Sequence, residues 1–443
     1  MMQKSKKLER LLQGLQKKDV FGSDSVDIVG VTDDTRRLKK GFLFVAVKGL
    51  KRDGHSFIGS AIQKGAVAAV GEKSPEKNWI KATYIKVADS KESLGEIAKN
   101  WYDNPSERLK VVGVTGTKGK TTTVHLIYHI LTKLGEKVGL VSSLVSKVGK
   151  RQLDTGLHVT TPGVLEINKL LSEMVEKGCK YAVLEVSSHG VVQGRVAGIS
   201  FEVGALTNVA PEHLDYHKSL AEYKKIKLDF INSARKKVVS KKDTKLAVLP
   251  GKFNNLNAQL AVDVAVLLGF DREKAVKTLS LFKLPKGRLE TVDNNLGVEV
   301  VIDFAHTPDS LEAALSHLKK SSKGRLIAVF GSAGERDSQK RPKMGKVASK
   351  YADIIILTAE DPRSESVGDI INQIKAGIKG PVKQYIVPDR YNAIKKAISI
   401  AKKGDTVAVL GKGHEKSMNM DGLTEIPWSD STALKKALKN YES

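Results

Sequence analysis

One run of glycine, lysine and threonine has the composition and spacing of a phosphate-binding loop. It reads Gly116-Thr117-Lys118-Gly119-Lys120-Thr121-Thr122 and follows the apolar residues 111–114. Glycines let backbone N–H groups close around phosphate oxygens, and the N-terminus of a following helix adds a favourable partial charge. Lys120 can reach the β- and γ-phosphates, and the Thr121 hydroxyl can ligate Mg²⁺. The run predicts binding of a nucleoside triphosphate, with a structural glycine turn as the alternative.

A second group of polar residues follows two further apolar runs. Glu185 ends the first run, at residues 181–185. The polar side chains after it and after the next run are Ser187, Ser188, His189, Asn208, His213, Asp215 and His217. Carboxylate, hydroxyl and imidazole groups beside a phosphate loop can hold Mg²⁺, which prefers oxygen ligands. Glu185 is therefore either a metal ligand or, as the alternative, a solvated strand end or a helix cap.

Lys227 lies beside the apolar face of a helix predicted over residues 221–230, which carries Tyr223, Ile226 and Phe230. Such a lysine commonly covers apolar surface with its stem while its ammonium group reaches water. The spacing alone does not separate that arrangement from a functional one.

The elements that must position these residues fall into three segments. A length of 443 residues predicts about three domains. Residues 1–107 are predicted to form a small N-terminal α/β domain. Residues 108–285 alternate strand and helix patterns around the phosphate loop, which predicts a central doubly wound sheet of the P-loop ATPase type, and residues 286–443 predict a Rossmann-like α/β domain.

In the third segment, each of four apolar runs leads directly into polar residues. These polar stretches are 303–306, 331–334, 360–363 and 411–415. In open α/β sheets, ligands bind at the carboxyl ends of the strands. The third segment is therefore predicted to be a second functional half of the molecule.

Composition restricts the class of protein. The chain carries 74 Lys and Arg against 49 Asp and Glu, a formal net charge of +25, but only 5% aromatic residues. No basic–aromatic alternation typical of nucleic-acid platforms is present. A polyanionic small substrate, or simply a lysine-rich proteome, explains the charge as well, and neither nucleic acid nor a membrane is expected as a partner. The densest lysine cluster, within 235–242, is predicted to be a solvated loop. A single cysteine, Cys179, and the lack of a signal peptide or an apolar run of about 20 residues predict a cytoplasmic protein.

Taken together, these motifs resemble those of the Mur ligases, and the resemblance covers nearly the whole chain. Within that family they are similar to the branch that adds the third residue to the peptidoglycan stem peptide. The strings that carry the resemblance include Asp34-Thr35-Arg36, the phosphate loop, Thr160-Thr161-Pro162, Glu185-Val186-Ser187-Ser188-His189, His213-Leu214-Asp215-Tyr216-His217, Gly287-Arg288-Leu289-Glu290 and Asp303-Phe304-Ala305-His306.

The resemblance implies three small-molecule substrates: ATP, UDP-MurNAc-dipeptide and an amino acid. The residues implied for ATP are Gly116, Thr117, Lys118, Gly119, Lys120, Thr121, Thr122, Asn257, Arg288, Asp303 and His306. Those implied for UDP-MurNAc-dipeptide are Asp34, Thr35, Thr160, Thr161, Ser187, Gln193 and Arg195. A monomer is expected.

The resemblance also implies the chemistry. ATP converts a carboxylate into an acyl phosphate, which an incoming amine then attacks. The residues implied to be catalytic are Lys120, Lys227 and His213. Thr121 and Glu185 are implied to hold one Mg²⁺, and His213 with a carbamylated Lys227 (N6-carboxylysine) a second.

The implied amino-acid site is formed by Arg336, Asp361, Arg363, Gly411 and Glu415. Its Glu360-Asp361-Pro362-Arg363 differs from the Asp-Asn-Pro-Arg that accompanies meso-diaminopimelate addition in the family. Arg363 favours a substrate with a distal carboxylate, and its charge is expected to neutralise Asp361. The prediction is meso-diaminopimelate, with lysine second; the alternatives are another amide ligase of this type, such as a folylpolyglutamate synthase, or a non-catalytic nucleotide-binding relative.

Overall fold

The structure is a computed structural model that describes residues 5–16, 18–49, 52–76, 79, 81–153, 160–212 and 216–442. It contains two compact units. The first comprises Met1–Ala210, Leu220–Lys241 and Gln259–Leu279, and the second comprises Pro211–Ser219, Lys242–Ala258 and Ser280–Ser443. Both are built from largely parallel sheets covered by helices, as the predicted α/β class requires, and the domain bounds 1–107, 108–285 and 286–443 stay a prediction. None of the described helices is long and apolar enough to cross a membrane.

The amino-terminal part of the first unit contains a five-stranded sheet in the order β2-β7-β6-β5-β4. The elements of this part of the chain are β1 (Lys6–Lys7), α1 (Leu8–Leu11), β2 (Asp19–Phe21), β3 (Asp27–Ile28), β4 (Gly30–Thr32), β5 (Phe42–Val45), α2 (Ile58–Gln63), β6 (Ala68–Gly71), β7 (Thr83–Lys86) and α3 (Ser90–Trp101). Strands β1 and β3 pair with each other in a separate two-stranded sheet. Both faces of β5 are buried: Leu43 and Val45 pack in the cluster of α3, and Phe44 packs in that of α2. This two-sided burial explains the uninterrupted apolar run.

The second sheet of this unit has seven strands in the order β11-β10-β9-β12-β8-β13-β14. Its strands are β8 (Lys110–Thr115), β9 (Val138–Val141), β10 (Ser146–Val148), β11 (Arg151–Leu153), β12 (Tyr181–Glu185), β13 (Val203–Leu206) and β14 (Lys236–Val239). The helices are α4 (Lys120–Lys133), α5 (Val164–Glu176), α6 (Ser188–Val192), α7 (Leu220–Asn232), α8 (Lys252–Leu267) and α9 (Arg272–Thr278). Strands β9, β12, β8, β13 and β14 run parallel, so their carboxyl ends share one edge.

The lysine cluster predicted to be a loop includes β14, so that prediction is wrong. Strand β14 pairs with β13 on one side only, as the edge strand of the sheet. Lys236 and Lys237 are exposed there. Edge strands tolerate lysines, which discourage pairing with other chains.

The second unit contains a six-stranded sheet in the order β15-β16-β20-β17-β18-β19. Its strands are β15 (Glu290–Thr291), β16 (Glu299–Asp303), β17 (Leu326–Phe330), β18 (Ile354–Leu357), β19 (Lys383–Ile386) and β20 (Thr406–Leu410), with a hairpin of β21 (Ser417–Asn419) and β22 (Glu425–Pro427). The helices are α10 (Pro308–Ser321), α11 (Lys340–Tyr351), α12 (Val367–Lys375), α13 (Arg390–Ile400) and α14 (Asp430–Glu442). Residues along β17 alternate between two apolar clusters, one on each face.

A buried ion pair joins α13 to α14 in this unit. Arg390 and Asp430 are each fully or almost fully buried, and their side chains meet at 2.7 Å. The guanidinium of Arg390 also donates to the carbonyls of Ala359 and Leu410, and the Trp428 indole donates to Asp430. The Arg390 cation and the Asp430 anion therefore neutralise each other in a place that water does not reach.

We expect Asp430→Ala to lower the free energy of unfolding by about 3 kcal/mol, because it leaves the Arg390 cation buried without a counter-charge. Urea denaturation followed by circular dichroism measures the change. Asp293→Ala, at an exposed aspartate, is the matched control and is expected to change stability little. An unchanged urea midpoint for Asp430→Ala would contradict the prediction.

Candidate active site

The phosphate-loop sequence connects β8 to α4, as the strand–turn–helix pattern predicts. Gly116 has φ 149°, and a Cβ there would lie 1.8 Å from the Thr207 hydroxyl. Gly119 has φ 83° and immediately precedes the helix. A side chain at position 116 would collide with Thr207, and the positive φ at both positions favours glycine, which has no Cβ. The Lys120 ammonium donates to the carbonyls of Gly116 and Thr117 at 3.0 and 2.9 Å, so it lies over the loop.

Residues after β13 clamp the loop from its other side. The Asn208 side chain accepts from the Lys118 N–H at 3.0 Å and donates to the Lys118 carbonyl at 2.9 Å. The Thr207 hydroxyl donates to the same carbonyl at 2.6 Å. The Thr117 hydroxyl lies 3.2 Å from that of Tyr223 on α7. These bonds fix the backbone of the loop before any ligand arrives, which is the condition for strong electrostatic stabilisation.

Glu185 lies at the carboxyl end of β12 and is only 2% exposed, so a solvated strand end is excluded. Its carboxylate accepts from the Thr121 hydroxyl at 2.9 Å. It also accepts from the backbone N–H and the hydroxyl of Ser143 at 2.9 and 3.0 Å. Ser143 was not predicted, although it follows the buried strand β9, whose carboxyl end lies beside that of β12.

These oxygen atoms fit Mg²⁺. One carboxylate and two hydroxyls converge within hydrogen-bond distance of one another, and hard oxygen ligands are what Mg²⁺ takes, usually together with phosphate oxygens and water. Among the described residues there is no group of three or more His, Cys, Asp or Glu suited to a metal ion, so a site here would depend on hydroxyls and on the ligand's phosphates. His213 and Asp215, which were also predicted near the metal, lie outside the described residues.

Lys227 on α7 does not reach water. Its side chain is 1% exposed, and its amine donates to the Gly116 carbonyl at 2.8 Å. The same amine lies 4.3 Å from the centre of the Tyr223 ring. The snorkelling alternative is therefore wrong, and α7 directs Lys227 at the phosphate loop.

A further set of predicted residues forms one hydrogen-bonded strip at the carboxyl end of β12. The Thr161 hydroxyl donates to the Glu185 carbonyl at 3.1 Å and accepts from the Ser187 N–H at 3.0 Å. Arg195 donates to the Thr161 carbonyl and to the Gln193 side chain, both at 2.6 Å. The residues proposed for the peptide substrate are thus connected to the Glu185 cluster. Thr160, next to Thr161, is half-buried.

Asp34 and Thr35 lie after β4 in the amino-terminal sheet. Asp34 forms a bidentate pair with Arg36, whose Nη2 lies 2.7 Å from Oδ2. The Arg36 guanidinium holds the pKa of the Asp34 carboxyl below its usual range. Thr35, which lies between these two residues in the sequence, is half-buried.

In the second unit, Arg288 and His306 contact the ring of Phe304, which follows Asp303 in the sequence. The Arg288 guanidinium lies 4.7 Å from the ring centre, and the His306 ring lies 4.5 Å from it. Desolvation raises the pKa of the Asp303 carboxyl, although Arg288 opposes the shift, and Asp303 accepts from the Leu289 N–H at 2.8 Å. Asn257, on the part of α8 that belongs to this unit, is buried.

Four of the predicted amino-acid residues follow β18 and β20, and the fifth, Arg336, follows β17. Lys412, which was not predicted, lies between two of them: its amine is 2.9 Å from both oxygens of Asp361 and 2.6 Å from Glu415. The expectation that Arg363 neutralises Asp361 is therefore corrected, because Lys412 is the cation paired with it. Gly411 has φ 107° and lies against the buried Glu360. Arg336 is exposed.

Comparisons with known proteins give the same family for every part of this arrangement. Three family models match: "Mur ligase family, catalytic domain" at residues 27–102, "Mur ligase middle domain" at 114–278, and "Mur ligase, glutamate ligase domain" at 287–413. A relative from Parabacteroides distasonis, named UDP-N-acetylmuramoyl-L-alanyl-D-glutamate–2,6-diaminopimelate ligase, is 39% identical over 94% of this chain and 96% of its own. The chain belongs to the Mur ligase family. A relative of the same name from Aquifex aeolicus is 38% identical over 93% of this chain and 94% of its own.

Solved structures of Mur ligases share the fold. A structure of a ligase with the same name as these relatives matches with a TM-score of 0.65 and 24% identity, over 99% of this chain and 100% of its own. The MurF ligase of Thermotoga maritima matches with a TM-score of 0.59 and 19% identity, over 93% and 97%. Folylpolyglutamate synthase from Mycobacterium tuberculosis, at 15% identity and a TM-score of 0.57, covers 72% of this chain and 92% of its own. The three-domain Mur ligase fold is thus confirmed. Because the matching family models and the relatives at 38–39% identity are Mur ligases, the chain is an ATP-dependent amide ligase.

Proposed function

We propose that this Mur ligase adds meso-diaminopimelate to UDP-MurNAc-L-Ala-D-Glu, using ATP. The names of the relatives support the reaction, and Arg363 supports the amino acid. A guanidinium can bind a distal carboxylate through two parallel hydrogen bonds, and lysine as a substrate has no such carboxylate. The proposed location is the cytoplasm, in agreement with a single buried, unpaired cysteine. The enzyme is proposed to be a monomer.

The proposed first step activates the dipeptide carboxylate. Its oxygen attacks the γ-phosphorus of ATP, the bond to ADP breaks, and an acyl phosphate forms. Lys120 lies where it can offset charge on the transferring phosphoryl oxygens. Mg²⁺, held by Thr121, Glu185 and Ser143 together with phosphate oxygens, would supply further neutralisation of that charge.

In the proposed second step, the amine of the amino acid attacks the acyl carbon. A C–N bond forms, the C–O bond to phosphate breaks, and the amine loses a proton. The Thr161–Arg195 strip is proposed to hold the dipeptide, and Arg288, Asp303, His306 and Asn257 to contact the nucleotide. Asp34 and Thr35 are proposed to bind the uridine nucleotide, and Arg336, Asp361, Arg363, Gly411 and Glu415 the incoming amino acid. Lys227 is proposed to be carbamylated and, with His213, to hold a second Mg²⁺.

The test is competition between diaminopimelate and lysine. We expect the wild-type enzyme to have a kcat/KM for diaminopimelate at least about tenfold above that for lysine, because a charge-assisted hydrogen-bonded pair contributes on the order of 1.5–3 kcal/mol. Arg363→Lys keeps the positive charge but cannot form the two parallel hydrogen bonds of a guanidinium, so it is expected to weaken the preference for diaminopimelate. Arg363→Ala is expected to abolish that preference. Phosphate release with UDP-MurNAc-L-Ala-D-Glu and each amine measures this.

Two results would argue against the proposal. If lysine is the better substrate of the wild-type enzyme and Arg363→Ala changes neither kcat/KM, the assigned amino acid is wrong. If neither amine supports phosphate release with the muramoyl dipeptide, the reaction itself is wrong.

A further inference from the structure

Lys412 is a buried cation shared by two carboxylates of the amino-acid site. Its side chain is only 2% exposed, against 20% for Asp361 and 31% for Glu415. Burial alone would lower the pKa of Lys412, but Glu415 and Asp361 together raise it above its ordinary value. Lys412 therefore carries a positive charge, and both of its ion pairs are partly shielded from water.

The same lysine is connected to the backbone of Arg363. Asp361 accepts from the Asn419 N–H at 3.0 Å as well as from Lys412. The Arg363 N–H donates to the Asn419 carbonyl at 3.1 Å. Arg363 has φ 55°, a left-handed conformation that is unfavourable for a non-glycine residue and persists only where its surroundings hold it. The bonds from Lys412 through Asp361 and Asn419 are part of what holds it.

The charges of the four side chains Asp361, Glu415, Lys412 and Arg363 sum to zero, and the charge of the exposed Arg336 is screened by water. Asp361 and Glu415 contribute two negative charges, and Lys412 and Arg363 contribute two positive ones. A neutral site suits a distal end that carries both a carboxylate and an ammonium, whereas a net negative site suits an ammonium alone.

We propose that Lys412 is a specificity-determining positioning residue: by pairing with Asp361 and Glu415 it cancels the charge of the aspartate, so that the site accepts an amino acid with a zwitterionic distal end. Lys412 acts through the two carboxylates. This rests on the proposed function, because it assumes that Asp361, Arg363 and Glu415 face the incoming amino acid.

Lys412→Met is the direct test. It leaves a net negative site, so we expect the KM for diaminopimelate to rise by about tenfold or more, while the KM for lysine stays the same or falls and kcat changes less than KM. Lys395→Met, the same substitution at an exposed lysine of α13, is the matched control. Thermal denaturation of each variant reports whether it is folded.

Two variants at Asp361 make the test independent of the stability of Lys412→Met. The double variant Lys412→Met/Asp361→Asn has a neutral site again, and we expect it to recover much of the preference for diaminopimelate; a purely structural role of Lys412 predicts no such rescue. Asp361→Asn alone leaves a net positive site, and its kcat/KM for lysine is expected to fall relative to that for diaminopimelate.

The inference is overturned if the ratio of the two KM values is the same in Lys412→Met, or, should that variant not fold, if Asp361→Asn leaves the discrimination unchanged. Failure of the proposed function is read separately, on the wild-type enzyme: it would show no ligation of either amine to the muramoyl dipeptide. In that case the inference is overturned as well.

Discussion

Lys120→Ala is expected to reduce ATP-dependent ligation by roughly 10²–10³-fold or more, with the fold intact. Lys120 lies over the loop and donates to two loop carbonyls, and we propose that it offsets the charge that phosphoryl oxygens accumulate during transfer. Loss of that cation raises the barrier without removing any apolar packing. Because Lys120 is only half-buried, the free energy of unfolding should change little.

The measurement is phosphate release in single-turnover and steady-state assays, with thermal denaturation alongside. Lys133→Ala is the matched control, since Lys133 is an exposed lysine on the same helix, α4. We expect Lys133→Ala to behave like the wild-type enzyme. A folded Lys120→Ala variant with near-normal turnover would show that the loop has a structural role only.

The individual elements of the fold were predictable from local patterns. The strands at 326–330 and 354–357 lie where the apolar runs predict them, and α4 begins at Lys120 directly after the glycine loop. Buried parallel strands have continuous apolar sequences, and a phosphate loop has glycines at fixed positions. Such signals need no knowledge of neighbours in space.

The contacts between strand ends were not predictable in the same way. Ser143 lies 42 residues before Glu185 in the sequence, but it donates a hydrogen bond to the Glu185 carboxylate because β9 lies beside β12 in the sheet. Lys412 rather than Arg363 pairs with Asp361, because the loop after β20 turns towards the loop after β18. The cation nearest to Asp361 in the sequence, Arg363, is not the one that pairs with it in the structure. The order of the strands in the sheet determines which strand ends lie close together, and it cannot be deduced from the sequence of any one segment.

Lys227→Ala is expected to reduce ligation by at least about 10²-fold, because Lys227 is proposed to supply, as a carbamate, an anionic oxygen for Mg²⁺. The amine is buried beside the loop and donates to the Gly116 carbonyl. Carbamylation needs the neutral amine, so the ammonium first gives up one proton. The amine nitrogen then bonds to the carbon of CO₂ and a second proton is released. The nitrogen keeps one N–H, so the bond to Gly116 can be retained while the charge changes from positive to negative.

Two measurements separate this role from a packing role. Acetate or formate should partly restore the activity of Lys227→Ala by supplying the missing carboxylate, and should not affect Lys224→Ala, an exposed lysine variant of the same helix. With ¹³C-labelled bicarbonate, the wild-type enzyme should give a carbamate carbon signal that Lys227→Arg lacks. If the carbamate signal is absent and carboxylates restore nothing, Lys227 acts as an unmodified amine that fixes the loop through Gly116.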